Sequence, residues 1–230
     1  MTTARPLKAP ATGTAERTAP VGVIRVLTSD DPALVDDHGR LLTERYGFPT
    51  VSRCIPGQPD GIHDDATHRT AEPKIVALAR ELAAEGVGTI VISCAADPAL
   101  DETRAAVRVP VVGAGSAAAA VALGLGRRIG VLGIRTEAPP AVAALLGNRL
   151  AGSARPEGVR GTRDLRTPEG TEAAVAAAAG LVERGADTLL LACTGLTSIG
   201  VRSRLEAALG VPVVDPVLAA GLVAAYRRTA

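Results

Sequence analysis

From Val21 onward, short aliphatic and β-branched runs alternate with longer stretches rich in Ala and Leu. The short runs predict strands at Val23–Leu27, Thr89–Ser93, Val109–Val112, Ile129–Ile134, Thr188–Ala192 and Val211–Val214, with a weaker one at Thr50–Ile55. The stretches between them predict helices over Asp31–Tyr46, Pro73–Glu85, Pro98–Val107, Ser116–Leu125, Ala138–Leu150, Thr171–Arg184, Val201–Leu209 and Pro216–Arg228. The strands lack polar alternation, so neither face is left to water. Apolar strands separated by helices indicate an α/β fold whose parallel sheet is covered on both sides.

The pattern also repeats. Glu85-Gly-Val-Gly-Thr-Ile-Val-Ile-Ser-Cys94 aligns without a gap on Arg184-Gly-Ala-Asp-Thr-Leu-Leu-Leu-Ala-Cys193, 99 residues later. Val109-Pro-Val-Val-Gly113 aligns on Val211-Pro-Val-Val-Asp215 at an offset of 102, and Ile24-Arg-Val-Leu27 on Ile129-Gly-Val-Leu132 at 105. Three blocks in one order with slowly drifting offsets indicate an internal duplication. The plainer alternative is that all αβα units look alike. Against it, the rarely used cysteine falls at the same place in both copies.

Each cysteine ends an apolar strand and begins a turn of small residues. Ala95-Ala-Asp97-Pro98 follows Cys94, with Asp97 suited to cap a helix and Pro98 to its first turn. Thr194-Gly195-Leu-Thr197-Ser198 follows Cys193. Ligands of open parallel sheets sit beyond the carboxyl ends of strands. Free backbone N–H groups there favour negative charge, so they lower a thiol's pKa and can hold a carboxylate or enolate. If a pseudo-twofold relates the halves, the two thiols meet across one cleft. Inverting a carbon next to a carbonyl needs a base on one face and an acid on the other, and two equivalent thiols can exchange those roles. Neither a metal nor pyridoxal phosphate is required if backbone donors stabilise the enolate. The competing reading is two buried cysteines acting as small hydrophobes.

Composition narrows the partners. The 25 basic residues are spread along a 230-residue chain of net charge +1, with no basic stripe for phosphates, which argues against nucleic acid. Tyr46, Phe48 and Tyr226 are the only aromatics, so platforms for stacking bases are missing. No apolar run reaches the roughly 18–20 residues of a membrane span. Residues 1–20 lack the apolar segment of a secretory signal and read as a disordered leader. Three widely spaced cysteines do not form a disulfide framework, so the expected compartment is the reducing cytoplasm.

Other groups carry less chemistry. His63 and His68 lie in a polar stretch whose spacing fits no metal motif, and read as a loop able to cover the cleft. His38, beside Asp36 and Asp37, reads as part of a solvated helix face, and Cys54 as structural. Gly113-x-Gly115 lacks the third glycine and the acid of a dinucleotide fingerprint.

At the cysteine motifs the chain resembles the aspartate/glutamate/hydantoin racemase superfamily, which works without pyridoxal phosphate, and most of all its hydantoin and allantoin racemases. The resemblance spans roughly residues 22–225. It rests on Ser93-Cys-Ala-Ala-Asp-Pro-Ala-Leu100, Pro110-Val-Val-Gly113 with the alanine-rich stretch after it, Ala192-Cys-Thr-Gly195 and Gly210-Val-Pro-Val-Val-Asp-Pro216. It implies two pseudosymmetric α/β halves with the active site in the cleft between them. The first half would be 21–112 plus 213–230 and the second 113–212. It implies Cys94 and Cys193 as catalytic thiols, a small-molecule substrate, no cofactor and a homo-oligomer.

Three segments depart from the hydantoin racemase pattern. Thr28-Ser29-Asp30-Asp31 replaces an Asn-Pro-Asn-Thr turn, Gly115-Ser116 a Gly-Glu start, and Leu132-Gly133-Ile134 a Val-Thr-Thr stretch. Since such loops should line the cleft, Ser29, Asp30, Gly115, Ser116 and Gly133 join Ser93, Ala95, Thr194 and Gly195 as candidate substrate-binding residues. Arylmalonate decarboxylases of this superfamily keep only the second cysteine, and glutamate racemases follow it with Thr-His. Maleate isomerases keep both cysteines and remain an alternative. So do a cyclase or lyase acting through an enolate or thiol adduct, and a non-catalytic protein binding a small acid.

Overall fold

The computed structural model describes residues 18–229, so the leader expected over 1–20 lies almost entirely outside them. Two four-stranded parallel sheets form. The first holds β1 (Val21–Arg25), β2 (Thr50–Cys54), β3 (Thr89–Ser93) and β4 (Val111–Gly113) in the order β2-β1-β3-β4. The second holds β5 (Ile129–Leu132), β6 (Leu150–Ala154), β7 (Thr188–Leu191) and β8 (Val213–Val214) in the order β6-β5-β7-β8. The same strand order in both sheets is the duplication read in the sequence, now visible as topology.

The helices are α1 (Pro32–Tyr46), α2 (Asp65–Ala84), α3 (Leu100–Ala106), α4 (Ala114–Leu125), α5 (Pro140–Leu146), α6 (Pro168–Glu183), α7 (Thr194–Ser198), α8 (Val201–Leu209) and α9 (Pro216–Thr229). Strand β6 and helix α7 are absent from the sequence reading, and the start of α2 differs from it. Strand β6 lies at the end of a predicted helix, because Leu-Ala-Gly-Ser-Ala carries no β-branched signal and is held by pairing with β5. Helix α2 starts well before Pro73, at Asp65, where the Asp64 and Thr67 side chains cap each other's backbone amides and Pro73 is accommodated inside the helix.

Alternate strand residues point to opposite faces, and the core divides accordingly. Val23 and Val91 of the first sheet, and Val131 and Leu190 of the second, share one central cluster with the alanines of α4 and with Val217 and Ala220 of α9. Ile24, Ile90 and Ile92 face outward onto Ile75, Leu78 and Leu82 of α2. Leu189 and Leu191 do the same onto Ala174, Ala178 and Leu181 of α6. Helix α4 is apolar nearly all round, as a helix packed between two layers must be, and its alanines allow close approach. Strand β8 joins the second sheet, whereas α9 packs on α1, α4 and β3. A Cβ at Gly221 of α9 would sit 2.4 Å from both Leu42 and Tyr46, which shows how tightly α9 closes on α1. Among the described residues, no helix is long and apolar enough to cross a membrane.

Candidate active site

The central strands β3 and β7 end at corresponding points, and each delivers its cysteine there. Cys94 is 9% exposed and Cys193 8%. Both line one cavity between the halves, of about 80 Å³. That is roughly five to eight times the least volume that holds one water, which suits a small molecule. The first half contributes Arg25, Ser93, Cys94 and Ala95, and the second Gly133, Thr162, Arg166, Cys193, Thr194 and Gly195. Gly61, Ile62 and His68 border it from the β2–α2 side, and Arg135 and Glu137 from beyond β5.

Burial pushes the Cys94 thiol up to about 12; the Ala96 N–H works against this, while the nearby Cys193 and Asp97 add to it. Burial also raises Cys193, but three donors oppose it: the Gly195 N–H, the Thr162 hydroxyl and the Leu196 N–H. Cys193 occupies the N-cap position of α7, where free amides favour an anion. Thr162 Oγ1 lies 3.9 Å from its sulfur. A Cβ on Gly195 would meet Thr162 Cγ2 at 2.3 Å and the Cys193 sulfur at 3.4 Å, so glycine keeps that contact open.

Seven of the eleven sequence-predicted residues therefore line the cavity: Cys94, Cys193, Ser93, Ala95, Gly133, Thr194 and Gly195. Ser29, Asp30, Gly115 and Ser116 do not. Ser29 Oγ accepts from the Asp31 N–H at 3.1 Å in the turn before α1, and Asp30 faces solvent. Gly115 and Ser116 donate their amides to the Asp97 carboxylate at 2.7 and 2.6 Å. Asp97 thus does not cap its own helix. From a left-handed position (φ 50°) it caps α4 and ties the Cys94 turn to it.

The reading of His38 as solvated is overturned. His38 is 1% exposed and lies between the halves. Its Nδ1 is 2.8 Å from Ser93 Oγ, and its Nε2 lies 3.2 Å from the Thr194 carbonyl and 3.1 Å from Ser198 Oγ. Ser198 Oγ donates to Asp37 at 2.7 Å, and Asp37 pairs with Arg25. Burial, with Arg25 nearby, holds the imidazole down to about 3, so it is neutral and its 3.7 Å approach to Asp37 is not an ion pair. Arg25 is lowered by burial and steadied by Asp37, and a guanidinium stays charged in such a setting. His68 sits in α2 rather than in a loop, 3.5 Å from Glu72. Among the described residues, no group of three or more His, Cys, Asp or Glu side chains could hold a metal.

Sequence reasoning missed Arg25, His38, Thr162 and Arg166. Only Arg25 had a signal, as the lone charge in an apolar strand run.

The model of the Asp/Glu/Hydantoin racemase family matches residues 44–223. A hydantoin racemase of Rhizobium meliloti is 30% identical over 193 residues, covering 78% of this chain and 76% of the relative. The allantoin racemase of Klebsiella pneumoniae superposes with a TM-score of 0.73 at 22% identity, covering 89% of this chain and 85% of that one. The allantoin racemase of Pseudomonas fluorescens gives 0.69 at 19% identity, with 91% and 90% covered. These likenesses define the class as isomerases of the racemase type. The chain belongs to the Asp/Glu/hydantoin racemase family.

Proposed function

We propose that this protein racemises or epimerises a small substrate at a carbon next to a carbonyl, without a cofactor, using Cys94 and Cys193 as opposing base and acid. The observation that carries this reading is the pair of buried thiols, set at corresponding strand ends of the two halves and lining one cavity. One thiolate takes the α-proton, and the C–H electron pair moves onto the carbonyl oxygen as an enolate. The opposing thiol then delivers its proton to the other face, leaving the sulfur charge on the opposite side of the cleft. Three donors oppose the rise at Cys193 against one at Cys94, which supports Cys193 as the starting thiolate. The guanidiniums of Arg25 and Arg166 add positive potential where the enolate oxygen develops.

The substrate class this favours is a hydantoin or a related small ring, whose α-proton is acidified by the adjacent carbonyl. The named relative at 30% identity supports it, as does the modest cavity volume. A single enantiomer of a 5-substituted hydantoin incubated in deuterium oxide tests the reading. Loss of optical rotation with one deuterium incorporated at the inverted carbon is expected. Inversion without deuterium uptake, or no reaction with hydantoins, amino acids or hydroxy acids alike, would overturn it.

A further inference from the structure

The two thiols sit on different halves, so the gap between them is set by whatever joins the halves at the mouth of the cleft. Few polar contacts do so. Thr194 Oγ1 donates to the Ser93 carbonyl at 3.3 Å. Ser198 Oγ of the second half donates to Asp37 of the first at 2.7 Å, and Arg135 and Arg163 of the second half pair with Asp65 and Asp60 of the first. His38 of α1 adds a bridge that touches both cysteine turns, reaching Ser93 on its own half and Thr194 and Ser198 of α7 on the other.

We infer that His38 is a positioning residue: its imidazole bridges the residue before Cys94 and the residue after Cys193, and so sets the register of the two thiols. Its catalytic meaning rests on the two-thiol reading above; its structural content does not.

The bonding pattern dictates one tautomer. The Thr194 carbonyl can only accept, so Nε2 carries the proton. Ser198 Oγ gives its own hydrogen to Asp37, so it too accepts from Nε2. Nδ1 is then the acceptor for the Ser93 hydroxyl. Every hydrogen has an assigned direction, from Arg25 through Asp37 and Ser198 to His38 and Ser93. Such a network fixes orientation as well as distance. Two ring nitrogens on one rigid ring hold two turns at a constant separation, which a flexible side chain would not. An ångström of drift between reacting groups costs about a hundredfold in rate, so such a strut is worth its burial.

The test separates the two ends of the ring. Asn at position 38 places an acceptor near the site of Nδ1 but reaches no further, so His38→Asn keeps the Ser93 bond and loses Thr194 and Ser198. A Gln side chain puts its amide near the site of Nε2, so His38→Gln keeps the second-half bonds and loses Ser93. Iodoacetamide labelling, followed by mass spectrometry of each cysteine peptide, reads the two turns separately, with Cys54 as the internal reference. In His38→Asn, Cys193 should label at least roughly fivefold faster with Cys94 unchanged, since even one lost hydrogen bond is worth about that factor and this variant loses two. In His38→Gln the pattern should reverse. Ser93→Ala removes one side-chain bond and Ser198→Ala two, those to His38 and to Asp37, while both leave the ring in place. They should reproduce the Gln and Asn patterns, respectively, even if a His38 variant fails to fold. Equal changes at both thiols, or none, would overturn the inference. The labelling needs no substrate, so the bridge can stand where the racemisation assay fails, and the reverse.

Discussion

Ser93 and Thr194 are bonded to each other across the cleft: the Thr194 hydroxyl donates to the Ser93 carbonyl at 3.3 Å. One residue precedes Cys94 and the other follows Cys193, so the two cysteine turns are linked through backbone as well as through His38. The halves meet as a single built site, with both thiols exposed to the same small cavity.

If the thiols act as opposing base and acid, neither can work alone in inversion, but each can still exchange a proton on its own face. Cys94→Ser and Cys193→Ser should each lower racemisation by a factor of about 10³ or more, given the contribution of a positioned acid or base. Each variant should retain slow deuterium uptake into one enantiomer only, and a different one in the two variants. A chiral separation with mass detection measures both quantities at once. Racemisation at the unmodified rate in either variant would refute the two-base mechanism.

Gly115 packs against the Cys94 turn and carries a prediction about that turn. Its expected part was substrate contact, but a Cβ there would lie 2.1 Å from the Ala95 carbonyl oxygen and 3.2 Å from Asp97 Oδ1. The obstacle is backbone and cannot rotate away. Gly115→Ala should therefore displace the Cys94 turn and destabilise the fold by about 1–3 kcal/mol. For a chain of this length that is a fall of roughly 2–4 °C in Tm per kcal/mol. Thermal melts with activity measured on the folded fraction check it, and an unchanged Tm with full activity would show that the turn is free to move.

The contrast between what was legible and what was not follows from how far each signal reaches along the chain. Strand β3 is readable to the residue and β7 to within one, because Thr-Ile-Val-Ile-Ser and Thr-Leu-Leu-Leu are buried on both faces and the duplicated cysteines mark where they end. Strand β6 is not, because its small residues owe their conformation to the neighbouring β5 rather than to local preference. His38 was misread for a similar reason. Asp-Asp-His looks like a solvated face, and the partners that bury it lie 55, 156 and 160 residues away. Thr162 and Arg166 come from the polar segment between β6 and α6, whose 3-10 turn at Asp164–Arg166 and local bonds to the Asp164 carboxylate leave no hydrophobic period to read.

Arg166 lines the cavity and, among the described residues, forms no salt bridge, unlike Arg25, which is paired with Asp37. A cation placed there should bind an anionic or enolising group. Arg166→Met should lower kcat/KM by roughly tenfold or more, the scale of a charged hydrogen bond, and Arg166→Lys should restore part of it. Because the residue is exposed, added salt should weaken the unmodified enzyme more than the Met variant. Equal salt sensitivity in both would remove Arg166 from substrate binding.

The thiols also set a pH dependence whose sign can be worked out. The working form needs one thiolate and one thiol. Burial raises both, and the proposed mechanism takes Cys193, whose three donors oppose that rise, as the thiol that gives up its proton first. Hence kcat/KM should climb as pH rises from neutral, by up to tenfold per unit while the thiolate remains scarce. It should fall only as Cys94 ionises near 12 and no proton is left to return. The same shift bears on stability. An unfolded Cys94 ionises near its ordinary value of 9.0, whereas the folded thiol keeps its proton up to about 12. Across that window the unfolded chain binds fewer protons than the folded one, so stability decreases with rising pH and is complete only below about 9. Cys94→Ser removes this group, so its urea midpoint should decline less steeply through the same range. A rate that drops between neutral pH and 9, or parallel stability curves for the two proteins, would show that the thiols are not held protonated by burial.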